Sequence, residues 1–261
     1  MKVGVSTASL YPLHVEDGFR ELAIRGIKTA EVFANSTCEG QEPYISMIKG
    51  MAEEHGMTIP SFHPFSSPME SVFLFSTYDR RIEEMLSLYR GFFGSMQKLG
   101  AEIFVLHGAI LSSKCTKEHY FRQFRLLSEI GREYGITVAQ ENVCYCLSGN
   151  LEFLRDMKRE LGEHAKFVLD LKQARRAGNR PSDYVTVLGS DIVHCHVSDA
   201  DADRECLPVG AGDFDFIPLF RSMRDNGFDG SLIVELYRSD YEDFDDLKTS
   251  AENLAEIVDR L

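Results

Sequence analysis

Basic residues are scarce in this chain. Its 28 Lys and Arg stand against 41 Asp and Glu, for a formal net charge of -13 over 261 residues. A general binder of nucleic acid needs clustered cations to neutralise phosphates, so this balance argues against that partner, although it leaves room for a local basic patch. Long hydrophobic runs are missing too: no segment approaches the length of a membrane span. The opening MKVGVSTASL reads as a strand, without a charged-then-apolar leader. Six cysteines are present and none forms a C-x-x-C pair, which suits reduced thiols and a cytoplasmic location. Cys144 and Cys146 fall on one face of an extended segment, where free thiols are expected and a soft metal site is the alternative. Linkers and low-complexity tracts are also lacking, so one domain over 1–261 is expected.

What is present is alternation. Short apolar runs at 2–7, 28–33, 57–62, 102–107, 136–141, 166–171, 191–197 and 231–236 read as strands. Segments with helical spacing lie between them, among them Tyr78–Leu99, Glu118–Tyr134 and Asp245–Leu261. Gly26, Gly56, Gly100, Gly135 and Gly230 precede strands, as glycines that end helices do. Eight strand–helix units in series predict an α/β protein, a closed (β/α)8 TIM barrel. The alternative, a doubly wound open sheet, usually carries a glycine-rich fingerprint after its first strand, and VSTASLYP has none.

Ionisable residues collect at or near the C-terminal ends of these strands: Glu31, His63, His107, Glu141, Asp170, His196 and Glu235. In a barrel those ends converge on one mouth. Four carboxylates and three imidazoles brought together there need a cation to offset repulsion and desolvation. A divalent ion is therefore expected, and this donor set does not choose among Mn2+, Mg2+, Co2+ and Zn2+. The run HCHVSDAD places His194 and His196 on one face of a strand and Cys195 on the other. His196 is the ligand candidate. His194, two residues deeper, is expected to be a hydrogen-bonded core histidine. Asp199 is either a supporting carboxylate or a solvated loop charge. The Gly210–Gly212 turn sets the path of the following loop, with a phosphate cradle as the lesser alternative.

In order, AQENV, FVLDLKQA, HCHVSDAD, LPVGAGDFDF and LIVELY resemble the xylose isomerase-like TIM-barrel superfamily, the group of sugar-phosphate isomerases and epimerases that includes endonuclease IV-type repair enzymes. The resemblance spans essentially the whole chain. It implies a single-metal site on Glu141, Asp170, His196 and Glu235, with His63 and His107 touching substrate. Two departures speak against a three-zinc site. Gln173 stands where the family often has a histidine, and the region of the expected Asp-x-His pair reads Asp203-Arg-Glu-Cys-Leu-Pro.

The function so implied is a metal-dependent sugar or sugar-phosphate isomerase or epimerase, with Glu141 and Glu235 as base and acid through an enediolate. Expected substrate contacts are His63, His107, Lys172, Gln173, Arg204 and Glu31. For Lys172 a plain surface lysine is the alternative. For Glu31 the alternatives are a substrate contact, a bond to a neighbouring histidine or a structural role. Arg204 and Arg238 are candidates for a substrate phosphate or carboxylate. The segment HPFSSPMESVFLFSTYD, with Phe65, Phe73 and Phe75, is either a lid or a plug for the barrel mouth. The expected partner is a small-molecule sugar or sugar phosphate, with no nucleic acid and no membrane, and a homo-oligomer is compatible. Other readings are an abasic-site phosphodiesterase, a dehydratase of a keto-polyol, and a barrel that binds a sugar without turnover.

Overall fold

The computed structural model describes residues 1–261, the side chain of Ser67 excepted. Among the described residues the strands are β1 (Lys2–Ser6), β2 (Ala30–Ala34), β3 (Ser61–Pro64), β4 (Ile103–Leu106), β5 (Thr137–Glu141), β6 (Lys166–Asp170), β7 (Ile192–Val197) and β8 (Ser231–Val234). They pair in parallel in sequence order and close, with Lys2 beside Ser231 and Val5 beside Val234. That closure excludes the open doubly wound sheet. The helices are α1 (Val15–Ile24), α2 (Tyr44–His55), α3 (Ser67–Glu70), α4 (Asp79–Leu99), α5 (Lys117–Glu133), α6 (Leu151–Leu161), α7 (Leu171–Arg176), α8 (Pro181–Leu188), α9 (Phe216–Asp225) and α10 (Asp245–Asp259). Among the described residues no helix is long and apolar enough to cross a membrane.

The strands are buried on both faces, which is why they read as near-continuous apolar runs. One face meets the helices in the main core. α4, for example, turns Ile82, Met85, Leu86, Tyr89, Phe92, Phe93 and Met96 inward at three- and four-residue spacing. The other face fills the barrel. There Val105, Ala139 and Val168 form a small separate cluster. Side chains two residues apart on a strand share a face, so Glu141 and Asp170 lie one layer above Ala139 and Val168. On the β4–β6 side, then, the polar layer at the mouth rests on apolar side chains.

Two details differ from the expectation. β3 begins at Ser61, so His63 sits within the strand, and Glu31 is the second residue of β2, deeper than a strand end. Gly230 does not end a helix; Gly227, at φ +87°, does. Gly230 is required by proximity, because a Cβ there would stand 2.1 Å from the Val193 carbonyl oxygen where β7 and β8 meet. Gly230→Ala should therefore lower stability by about 1–3 kcal/mol, read as a shift in the urea midpoint. An unchanged midpoint would remove this close-approach argument.

The 65–78 segment is fastened at several points along its length. Phe75 is buried and stacks on Tyr120 at 4.0 Å between centroids. Glu70, also buried, accepts hydrogen bonds from the Ser66 hydroxyl at 2.7 Å, the Tyr89 hydroxyl at 3.2 Å and the Gly108 N–H. Phe65, at its start, is exposed at the cavity. With the Phe65 N–H bonded to the Ala34 carbonyl oxygen at 2.8 Å, the segment is a fastened wall that turns the Phe65 side chain to the cavity.

Candidate metal centre

Four consecutive strands supply the central group. Glu141 ends β5, Asp170 ends β6, His196 is the fifth residue of β7, and Glu235 follows β8. Each offers one donor atom, and the four atoms lie within 4.8 Å of one another, all buried. His196 Nδ1 is 3.1 Å from Glu141 Oε1, 3.7 Å from Glu235 Oε2 and 3.9 Å from Asp170 Oδ2.

Asp170 is held from three sides. Its Oδ1 accepts from the Gln173 N–H at 2.9 Å and caps α7. The Asn142 side chain accepts from the Asp170 N–H at 2.7 Å and donates to its carbonyl oxygen at 3.0 Å. Oδ2 is left facing the cluster. Asp170 Oδ2 and Glu141 Oε2 are buried and receive no directed hydrogen bond. Lys172 Nζ and His107 Nε2 do lie 2.9 Å from them. Those ion-pair distances satisfy charge but not lone-pair direction, and buried lone pairs left open in this way fit a cation. The oxygen-rich set with one imidazole suits a divalent ion.

In the protein by itself these charges strain against burial. Burial alone would raise Glu141, yet His107 and His196 hold its carboxyl well below the usual range. Burial likewise opposes the charge of Glu235, and Lys172 with His196 brings it down. Asp170 goes the other way: burial raises it, Lys172 offsets only part, and the neighbouring Glu141 and Glu235 add to the rise. Burial opposes a charged His196, but Glu31 and Glu235 lift it well above the ordinary histidine value.

Around this group stand the other expected residues. His63 Nε2 and His107 Nε2 face each other at 2.6 Å. Each histidine also joins Glu141 in a second group of three possible donors. Lys172 is no surface lysine: it is buried, 2.7 Å from Glu235 Oε2. Glu31 is fully buried and bonds neighbouring histidines. His194 is buried against Glu31 at 3.0 Å, as a core histidine. A cavity of about 450 Å³ opens above, with His63, His107, Glu141, Lys172, Gln173 and Glu235 on its floor. Its upper wall is aromatic, from Tyr11, Phe33, Phe65, Tyr145 and Tyr237.

Other residues are placed elsewhere. Arg204 is exposed and grips Asp201 Oδ2 with Nε at 3.1 Å and Nη2 at 2.7 Å, three residues back in the same loop. Local pairing keeps it away from the cavity lining. Arg238 is spent on the carbonyl oxygens of Tyr241 and Glu242. Asp199 is neither a supporting carboxylate of the cluster nor a solvated charge. It is buried and accepts from the N–H groups of Ala200, Gly210, Gly212 and Phe214 at 2.8–3.2 Å. It folds the loop, and it takes up the glycine N–H groups that a phosphate cradle would have used. The Gln173 side-chain oxygen accepts from the Cys144 N–H at 3.1 Å. Cys146 is buried, and burial pushes its thiol up. Neither Cys144 nor Cys146 belongs to a group of possible metal donors among the described residues.

Sequence reasoning missed the two amides beside Glu141. Asn142 bridges β5 to β6 as described. Gln140 donates to the carbonyl oxygens of Leu106 at 3.0 Å and His107 at 2.9 Å, fixing the backbone that carries His107. The signal was their position next to a ligand candidate on a buried strand, where an unpaired amide is costly.

A family model described as xylose isomerase-like TIM barrel matches residues 19–259. An uncharacterized protein of Methanocaldococcus jannaschii is 24% identical over 249 residues, covering 90% of this chain and 83% of the relative. A crystal structure of a D-tagatose 3-epimerase-like protein superposes with a TM-score of 0.81 at 20% identity, covering 100% of this chain and 98% of that one. D-psicose 3-epimerase, crystallised in the presence of D-fructose, gives 0.79 at 15% identity and 98% coverage of both chains. The IolI protein with a bound zinc atom gives 0.79 at 16% identity, covering 100% of this chain and 99% of that one.

Proposed function

The chain belongs to the xylose isomerase-like TIM barrel family, and from that we propose that it is a divalent-metal-dependent isomerase or epimerase of a sugar or sugar phosphate. The observation that carries this reading is the convergence of Glu141, Asp170, His196 and Glu235 within 4.8 Å, with two open carboxylate lone pairs. Similarity to the sugar epimerase structures supports the same class.

Glu141, Asp170, His196 and Glu235 would hold a divalent ion, and that ion would supply Lewis acidity toward a ketose carbonyl, making the neighbouring C–H more acidic. The proton work falls to the chain. Glu141 and Glu235 rise from strands separated by β6 and β7, so they approach the cavity from different walls. One carboxylate takes the C–H proton, leaving an enediolate. The other carboxyl group returns a proton to the carbon, and exchange with solvent resets both groups. His107, Lys172 and Gln173 line the cavity and orient substrate hydroxyl groups. The aromatic wall packs on the sugar's C–H face and keeps bulk water off the enediolate.

Protein purified without chelator should hold one divalent ion per chain by elemental analysis. A panel of ketoses and their phosphates, incubated with Mn2+ in D₂O, should then gain deuterium at the reacting carbon. Absence of bound metal rejects the centre. Product formed without any solvent deuterium rejects the proton-transfer route in favour of a hydride shift.

A further inference from the structure

We propose that Glu31 is a positioning residue for the metal centre: it holds the Nε2 proton of His196, so that Nδ1 is the nitrogen presented to the metal. The inference rests on the metal-centre reading above and goes beyond it in naming the atom and the residue that selects it. Both Glu31 oxygens reach His196 Nε2, Oε1 at 3.1 Å and Oε2 at 3.2 Å. The opposite ring nitrogen, Nδ1, is the one that faces Glu141, Asp170 and Glu235. An imidazole divides its nitrogens between two tasks, and the bond made by one decides what the other can do.

Glu31 is itself immobilised. The Ser6 hydroxyl donates to its Oε1 at 3.0 Å, and the Ser61 hydroxyl donates to its Oε2 at 2.8 Å. His194 Nε2 lies 3.0 Å from Oε2. The serines come from β1 and β3 and the histidine from β7, so three strands clamp one carboxylate. His63 stacks on the His196 ring at 5.4 Å with an interplanar angle of 15°, which limits the ring's tilt. A fully buried carboxylate contributes little to packing by itself; this one is aimed at the back of the ligand histidine.

The test uses Zn2+ as the probe, with affinity read by competition against a chromophoric chelator. Nitrogen-15 NMR reports which His196 nitrogen is coordinated. Wild type should bind zinc through Nδ1 and keep a proton on Nε2. Glu31→Leu should weaken zinc binding about 10–100-fold, and Glu31→Gln, whose amide oxygen can still accept from Nε2–H, should recover part of the loss. A wild-type chain that binds no zinc overturns the metal-centre reading and this inference with it. Zinc bound equally well by wild type and both variants, or bound through Nε2, overturns the positioning role alone. Should Glu31→Leu fail to fold by circular dichroism, the wild-type coordination and the affinity of Glu31→Gln decide the matter.

Discussion

Glu141→Gln and Glu235→Gln should each lower interconversion of a reactive ketose and its epimer or isomer by about 10²–10⁴-fold, the range expected for one positioned acid or base. Gln keeps the size of the side chain and one oxygen, but it cannot carry a proton between carbon and solvent. Both residues are also ligand candidates, and Glu141 has an open lone pair in the cluster. Lost metal would therefore imitate lost chemistry. Metal content must be measured on the same samples, and the comparison is valid at equal loading under excess Mn2+. A variant that keeps its metal and interconverts the sugars at the wild-type rate clears that glutamate of proton transfer. The two substitutions should also differ by face: one blocks removal of the proton, the other its return.

The second large effect concerns stability. Lys172 is buried with its ammonium 2.9 Å from Asp170 Oδ2 and 2.7 Å from Glu235 Oε2. Burial works against its charge, yet Asp170 and Glu235 keep its pKa well above the usual lysine value. Lys172→Met preserves the length of the stem and removes the charge, leaving two buried carboxylates facing each other. Breaking a buried ion pair from one side costs about 3–5 kcal/mol, so the metal-free variant should unfold at clearly lower urea than metal-free wild type. A divalent cation replaces much of the missing charge, so saturating Mn2+ should narrow the gap. Equal midpoints without metal would show that Lys172 does not stabilise the carboxylates. A gap that metal leaves unchanged would place Asp170 and Glu235 outside the ion's reach.

The barrel was legible in the sequence because its strands carry the same message twice. Apolar runs of five or six residues mark burial on both faces, and a polar residue two places beyond a small apolar one marks the mouth. Ala139 with Glu141 and Val168 with Asp170 follow that pattern, and the structure places both pairs on the barrel's inner face. The strand ends bring together all four residues named from the family resemblance. Loop residues were less legible. Asp199 bonds backbone groups up to 15 positions ahead, and backbone partners leave no trace in side-chain pattern. Arg204 had a nearer signal, the acidic Asp201 three residues before it, and local pairing settles where its charge goes. Glu31 could not be read past its alternatives, because its partners Ser6, Ser61, His194 and His196 lie 25 to 165 positions away.

The division of the donor set along the chain has a consequence for evolution of the site by parts. Glu141, Asp170, His196 and Glu235 all belong to β5–β8 or their C-terminal edges, while Glu31, His63 and His107 come from β2–β4 and its edge. The second half-barrel holds the complete set of proposed ligands. The first half holds Glu31, proposed to orient it, and His63 and His107, which share the cavity lining with Lys172 and Gln173 of the second half. Swapping first halves between related barrels would thus retain an ion while changing what is done with it. One contact that must match in such a chimera is that of Glu31 on β2 with His196 on β7, which joins the two halves through side chains inside the barrel.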